Sequence, residues 1–176
     1  MKNMTLANIA AACGGIYHGK EEDRNKEVLS ITTDSRKAEP GSLFIAIRGE
    51  RVDGHDFVDS VFEKGALCVL SEQELPEAKG NYILTESTLQ AIKDIAEFYR
   101  QQLSAKVVGI TGSVGKTTTR EMVAAALSAK YQVYKTPGNS NSQVGVPITL
   151  SEITSADEIG VLELGMSMPG ELTVIA

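Results

Sequence analysis

The segment VVGITGSVGKTTT, residues 107–119, decides the fold class of this 176-residue chain. An apolar run predicts a buried strand, a glycine-rich turn follows it, and good helix formers continue beyond Lys116. In such a segment, backbone N–H groups and the helix N-terminus face phosphate oxygens, the lysine supplies a mobile cation, and the Thr117 hydroxyl can bind Mg²⁺. The segment therefore predicts a loop that binds the phosphates of ATP or GTP.

The match to the general phosphate-loop pattern is incomplete. Where that pattern has a glycine five residues before Gly115, this chain has Ile110, and the nearest glycines are Gly109 and Gly112. A tighter loop is expected. The competing interpretation is a strand-to-helix turn with a chance surface lysine, which the agreement of strand, glycine spacing, Gly-Lys-Thr and helix disfavours.

The composition of the chain limits which binding partners and which cellular compartment we expect. Seventeen basic and twenty-three acidic side chains give a net charge of −6, which argues against a general nucleic-acid or membrane-surface role. Cys13 and Cys68 have no metal-ligand spacing, so reduced thiols are expected. The N-terminus lacks a leader pattern, and no stretch approaches the roughly 20 apolar residues that a membrane span needs. We expect a cytoplasmic protein.

The pattern of elements predicts two α/β domains. Residues 1–103 alternate short strands with helices at 5–12, 55–64 and 87–102. From residue 104 the order strand, loop, helix, strand, loop, helix, strand predicts a parallel sheet with helical crossovers. Only about three strands of this second sheet are present, where doubly wound sheets usually have more. We expect residues 104–176 to be the first part of a larger domain, with a helix beginning after Pro169-Gly170.

Glu163 ends the apolar strand 159–163, at the edge where open α/β sheets bind ligands. Its carboxylate is the candidate second protein ligand of Mg²⁺, beside Thr117. The alternative is an acidic side chain solvated at the end of a strand, and the proximity of the two residues decides between them. The loop at residues 136–147 either positions a polar substrate or is an ordinary turn, because both use Asn, Ser, Gly and Pro.

Two polar runs in the first domain, residues 33–36 and 48–55, bracket the strand 42–47. Arg36 or Arg48 could pair with a diphosphate through a planar guanidinium group. The alternative is that both are surface arginines beside turns. His55 is interpreted as a helix-start or turn residue and not as a catalytic base, since no acid or nucleophile stands beside it in the sequence.

Several motifs in fixed order resemble the Mur ligases of bacterial cell-wall synthesis over nearly the whole chain. They are TDSR at 33–36, PGSLF at 40–44 leading to Gly49, DGHDF at 53–57 and TGSVGKTT at 111–118. Within the family, residues 138–147 and 163–171 look most like the members that join D-Ala-D-Ala to UDP-N-acetylmuramoyl-tripeptide (UDP-MurNAc-tripeptide).

The resemblance implies an enzyme of three domains that uses ATP and Mg²⁺. Residues 1–103 would bind the UDP-sugar-peptide, residues 104–176 would begin the ATPase domain, and a third domain would help to bind the amine. ATP would phosphorylate the tripeptide carboxylate, and the D-Ala-D-Ala amine would attack the acyl phosphate. The second metal site and the amine site are expected beyond Ala176, so this chain alone, expected to be a monomer, should not turn over.

Site residues follow from the same resemblance. Lys116 and Glu163 would be catalytic, and Thr117 with Glu163 would hold Mg²⁺. The residues implied to bind ATP are Gly112, Ser113, Val114, Gly115, Lys116, Thr117 and Thr118. The residues implied to face the UDP-peptide are Ser35, Arg36, Arg48, Gly49, Asn139 and Asn141.

Three alternatives remain open. One is the related ligase that adds the third residue of the peptide. Another is an enzyme of the folylpolyglutamate synthetase type, against which the Asp34-Ser35-Arg36 region argues. The third is a UDP-sugar or phosphate binding module without catalysis.

Overall fold

The computed structural model describes residues 1–49 and 51–165, which form two compact units. The first unit is Met1–Phe98 and the second begins at Tyr99. The division falls inside the helix Thr88–Arg100, whereas the sequence predicts a boundary after residue 103. The helix expected after Pro169-Gly170 lies outside the described residues. The predicted α/β class with parallel sheets is confirmed.

The first unit is built on a five-stranded sheet. Its strands are β1 (Ile16–His18), β2 (Ser30–Thr32), β3 (Ser42–Ile45), β4 (Cys68–Ser71) and β5 (Asn81–Leu84). Their spatial order is β1-β5-β4-β3-β2, and every neighbouring pair is parallel except β1 with β5. Both β3 and β4 are buried along their whole length, as apolar strands covered on two faces should be.

Three α-helices accompany this sheet: α1 (Leu6–Ala12), α2 (Val58–Glu63) and α3 (Thr88–Arg100). The hydroxyl of Thr5 accepts a hydrogen bond from the Asn8 N–H at 3.2 Å, so Thr5 caps α1. Short 3₁₀ turns occupy Glu21–Asp23, Ser35–Lys37 and Gly54–Phe57.

The described part of the second unit has three parallel strands and two helices. The strands are β6 (Lys106–Ile110), β7 (Val133–Lys135) and β8 (Ile159–Glu163), in the order β6-β8-β7. Helix α4 (Lys116–Ser128) connects β6 to β7, and α5 (Gly145–Ser151) connects β7 to β8. Each connection is a helical crossover, as the predicted alternation requires.

Strand β8 is central in this sheet and buries side chains on both faces. Val161 packs in an apolar cluster with Ala124 of α4, and its neighbour Leu162 packs with Ile153 in a second cluster. Successive side chains of a strand point to opposite faces, so helices cover the sheet on both sides. The last residue of β8, Glu163, pairs with Ile110 at the end of β6. Residues that follow the three strands therefore meet at one edge.

No helix within residues 1–49 and 51–165 is both long and apolar enough to span a membrane.

Candidate active site

The loop between β6 and α4 has the conformation that phosphate binding needs. Gly112 and Gly115 have φ angles of +145° and +76°, which residues with a side chain rarely adopt. Gly115 is the residue before the first turn of α4, where backbone N–H groups have no partner within the helix. Lys116 donates a hydrogen bond from Nζ to the Gly112 carbonyl at 2.9 Å, so its ammonium group lies against the loop.

Glu163 is buried at the end of β8, with 2% of its surface exposed. Its Oε2 accepts a hydrogen bond from the Thr117 hydroxyl at 3.0 Å, and its Oε1 accepts one from Asn141 Nδ2 at 2.8 Å. The side chain is therefore not a solvated carboxylate at a strand end. The proximity that the magnesium hypothesis required between Thr117 and Glu163 is present.

Arg120 is absent from the predicted site residues, yet it supplies the positive charge beside Glu163. It lies three residues after Thr117, on the same face of α4, and only 4% of it is exposed. Its Nη1 is 3.2 Å from Glu163 Oε2 and 2.8 Å from the carbonyl oxygen of Gly138. The sequence gives only a weak signal for this role, the spacing of three residues from Thr117, because the burial of Glu163 that calls for a cation becomes visible only in the structure.

The loop that follows β7, residues 137–144 and here named the amide loop, reaches this site through Asn141. Besides the contact of its amide with Glu163, the Asn141 carbonyl accepts a hydrogen bond from the Gly165 N–H at 2.8 Å. The preceding residue, Thr136, accepts one from the Glu163 N–H at 2.9 Å and is 1% exposed. Asn139 is exposed, so the structure brings Asn141 to the carboxylate and leaves Asn139 facing solvent.

The oxygen atoms of Thr117 and Glu163 fit a magnesium site. Both are hard oxygen ligands of the type that Mg²⁺ takes, usually with one or two carboxylates, substrate phosphates and water. Among residues 1–49 and 51–165, no group of three or more His, Cys, Asp or Glu side chains is arranged to hold a metal ion. Any Mg²⁺ bound here would take these two protein ligands and complete its shell with nucleotide or water oxygens.

The second candidate region lies in the first unit, beyond the paired carboxyl ends of β2 and β3. The Asp34 carboxylate accepts hydrogen bonds from Arg36 Nε and Nη2, at 2.8 and 2.7 Å. This pairing, with a further bond from the Arg36 N–H, lowers the pKa of Asp34 to about 2. The Ser35 carbonyl accepts a hydrogen bond from Lys64 Nζ at 2.7 Å. The side chain of Arg36 remains 88% exposed.

Arg48 and Gly49, after β3, are held by a turn. The Gly49 N–H donates to the Val52 carbonyl at 3.0 Å, and Arg48 Nε donates to Asp53 Oδ2 at 2.9 Å. The other oxygen of Asp53 accepts a hydrogen bond from the His55 N–H at 3.0 Å and lies 2.6 Å from its Nδ1. The hydrogen bond from the His55 backbone N–H, and after it the one from the His55 ring, hold the pKa of Asp53 well below its usual range.

His55 lies in the 3₁₀ turn Gly54–Phe57, as its interpretation as a helix-start residue predicted. The reason offered for that interpretation was wrong, because an acid, Asp53, stands two residues away and contacts its ring. The remaining ring nitrogen, Nε2, accepts a hydrogen bond from the Glu72 N–H at 3.3 Å. Both nitrogens are therefore used to hold the fold of the first unit.

These features define the second unit as a phosphate-loop α/β domain with a buried carboxylate beside the loop. Two family models match the chain: "Mur ligase family, catalytic domain" at residues 27–100 and "Mur ligase middle domain" at residues 110–176. The chain belongs to the Mur ligase family.

Similar proteins of known name agree with this assignment. The UDP-N-acetylmuramoyl-tripeptide–D-alanyl-D-alanine ligase of Bacillus subtilis is 40% identical over 178 aligned residues, covering 100% of this chain and 39% of that protein. A MurF crystal structure from Acinetobacter baumannii has a TM-score of 0.88 at 35% identity, covering 97% of this chain and 37% of that one. A Thermotoga maritima MurF ligase, solved in complex with ADP, has a TM-score of 0.74 at 36% identity, and the match covers 82% of this chain and 34% of that one. The chain thus spans under two fifths of these relatives.

Proposed function

We propose that this chain carries the UDP-substrate domain and the first part of the ATP-binding domain of a ligase that adds D-Ala-D-Ala to UDP-MurNAc-tripeptide in peptidoglycan synthesis. The names of the relatives support this choice of substrates. The observation that carries the nucleotide half of the proposal is the 3.0 Å contact of the Thr117 hydroxyl with the buried Glu163 carboxylate beside the phosphate loop.

The second unit, taken as residues 104–176, binds ATP with Mg²⁺. Lys116 exchanges its contact with the Gly112 carbonyl for phosphate oxygens, and the N-terminus of α4 adds unpaired N–H groups. Thr117 and Glu163 hold Mg²⁺, which offsets charge on the phosphoryl group during transfer. The full set of residues in contact with the nucleotide phosphates is Gly112, Ser113, Val114, Gly115, Lys116, Thr117 and Thr118.

The first unit, taken as residues 1–103, binds the UDP part of the peptide substrate. Arg36 and Arg48 are largely exposed and already pair with carboxylates, so a diphosphate can take the place of those carboxylates at little cost. Ser35 and Gly49 contribute from the same two loops. On the amide loop, Asn139 and Asn141 face the peptide substrate.

In the complete reaction, the γ-phosphoryl group of ATP passes to the terminal carboxylate of the tripeptide, giving an acyl phosphate and ADP. The amine of D-Ala-D-Ala then attacks the acyl carbon, an amide bond forms, and phosphate leaves with the bonding electrons. The chain spans 39% of its Bacillus relative, and for these 176 residues we propose the ligand-binding steps of this reaction. The proposal includes a cytoplasmic, monomeric protein.

Calorimetric titration of the 176-residue chain tests this function. The ligands are MgATP and, each with and without MgATP present, UDP-MurNAc-tripeptide, the corresponding dipeptide form and UDP alone. We expect heat of binding for UDP and tighter binding of the tripeptide form than of the dipeptide form. Equal affinity for both peptides would contradict the substrate assignment, and the absence of MgATP binding would contradict the nucleotide assignment.

A further inference from the structure

Arg120 is a buried cation that the phosphate-binding chemistry above does not use. Its side chain is 5% exposed, and the Glu163 side chain that it contacts is 3% exposed. Burial of a charged group is costly unless partners surround it. Such a residue in the first turns of α4, where neighbouring side chains reach solvent, calls for an explanation beyond a surface ion pair.

Each side of the Arg120 guanidinium contacts a different part of the second unit. A single nitrogen, Nη1, donates both to Glu163 Oε2 at the end of β8 and to the Gly138 carbonyl of the amide loop. The Nε and Nη2 atoms donate to Glu121 Oε1 at 3.2 and 2.7 Å. Glu121 in turn pairs with Lys135 of β7. The planar fork of an arginine can satisfy this set of acceptors, which a lysine cannot.

The same carboxylate connects both halves of the site. Glu163 Oε2 accepts hydrogen bonds from Thr117 and Arg120, while its Oε1 accepts one from Asn141 of the amide loop. Arg120 adds a second, independent link to that loop through Gly138. Thr117 and Glu163 are thus connected to the amide loop at two points, Asn141 and Gly138.

We propose that Arg120 is a positioning residue that couples the phosphate loop to the amide loop, so that bound MgATP orders the residues that receive the peptide substrate. The inference rests on the proposed function, in which the amide loop contacts that substrate. Arg120 acts through Glu163 and Gly138 and is not assigned a contact with any ligand.

Hydrogen exchange of the 176-residue chain, read by mass spectrometry, tests the coupling. The variants are Arg120→Met, Arg120→Lys and the matched control Glu121→Gln, each measured without nucleotide and with MgATP. Glu121→Gln removes charge on the other side of the guanidinium and leaves both Nη1 bonds in place. MgATP affinity is measured in parallel by calorimetry.

Without nucleotide, we expect the amides of residues 138–141 to exchange faster in Arg120→Met than in the wild-type chain or the control. With MgATP, these amides gain protection in the wild-type chain and the control but not in Arg120→Met. Loss of a group that orients a metal ligand typically lowers metal affinity at least tenfold, so MgATP affinity should fall by about tenfold. Arg120→Lys should recover much of that affinity through its charge and yet fail to protect the loop.

Unchanged exchange of the amide loop in Arg120→Met, with and without MgATP, overturns the proposal. So does an Arg120→Lys variant that matches Arg120→Met in every measurement, because Arg120 would then serve stability alone. If Arg120→Met fails to fold, Arg120→Lys carries the test, and wild-type loop protection in that variant overturns the coupling. If the wild-type chain does not bind MgATP, the proposed function fails. The comparison of Arg120→Met with the wild-type chain without nucleotide still tests whether Arg120 orders the amide loop.

Discussion

Both units place an arginine–carboxylate pair beyond the carboxyl ends of parallel strands, but the two environments differ. In the second unit, Arg120 and Glu163 are buried, with side chains 5% and 3% exposed. In the first unit, Arg36 and Arg48 are 88% and 67% exposed although each contacts an aspartate. The chemical groups are alike, and burial is what separates them.

Burial determines what each pair can do. Removing one partner of a buried pair leaves an uncompensated charge, so such a pair behaves as part of the fold. An exposed pair contributes little to stability, so its arginine can exchange one anion for another. The second unit therefore has a fixed framework around the phosphate loop, whereas the first unit has arginines available to a diphosphate.

The largest expected effect is on the stability of the second unit. Glu163→Gln removes the buried charged partner of Arg120 and leaves only the half-exposed Glu121, which should lower the free energy of local unfolding by about 3 kcal/mol. Hydrogen exchange of the β8 amides measures this change. The matched control is Glu121→Gln, whose side chain is 45% exposed and which should cost well under half as much. Equal losses in the two variants would erase the contrast between buried and exposed pairs.

Lys116→Ala should weaken MgATP binding by about 2 kcal/mol, the usual value of a charge-assisted hydrogen bond. UDP binding should not change, because the residues proposed to bind UDP lie in the first unit and Lys116 lies in the second. Calorimetry with both ligands measures the two affinities, and Lys130→Ala, which removes a lysine just beyond the C-terminal end of α4, is the control. A parallel loss of both affinities would show that nucleotide and substrate binding are not divided between the units.

Arg48→Ala should weaken the binding of UDP by about 1.5 kcal/mol, at the low end for a hydrogen bond to a charged group. Its melting temperature should stay close to that of the wild-type chain, because Arg48 is exposed. The control is Arg51→Ala, an exposed arginine in the same turn. Unchanged UDP affinity in Arg48→Ala would remove this arginine from the substrate site.

The smallest expected effect is a pH dependence in the first unit. Arg36 lowers the pKa of Asp34 from 3.8 to about 2, so the stability from this pair is complete above pH 3.8 and is lost as the pH falls through about 2. An NMR titration of the Asp34 carboxyl carbon should show a midpoint near pH 2 that moves toward 3.8 in Arg36→Ala. If the titration midpoint of Asp34 is the same in Arg36→Ala as in the wild-type chain, Arg36 does not lower the pKa of this carboxylate.

Much of the second unit follows from the sequence by local rules. The apolar run, the glycines and Lys116 predict strand, turn and helix, and the structure has them as β6, the phosphate loop and α4. Parallel pairing then places the ends of β6 and β8 together, so the proximity of Glu163 to Thr117 follows from the order of the strands and loops along the chain.

Other features depend on contacts that sequence spacing does not reveal. The burial of Glu163 arises because Thr117 and Arg120 of α4 and Asn141 of the amide loop surround it. Arg120 stands in a polar stretch and resembles a surface residue until its distant partners, Gly138 and Glu163, are placed. The Asp53–His55 contact was missed for a different reason, because it comes from Asp53 capping the 3₁₀ turn Gly54–Phe57 and not from the periodicity of a strand or helix.

The central claim is that the buried carboxylate beside the phosphate loop serves the magnesium ion of a bound nucleotide. Calorimetric titration of ATP into the wild-type chain and into Glu163→Gln, each with and without MgCl₂, tests it most directly. We predict that magnesium tightens ATP binding to the wild-type chain and has little effect on the variant. An equal gain from magnesium in both proteins would contradict the claim and leave Glu163 as a structural partner of Arg120.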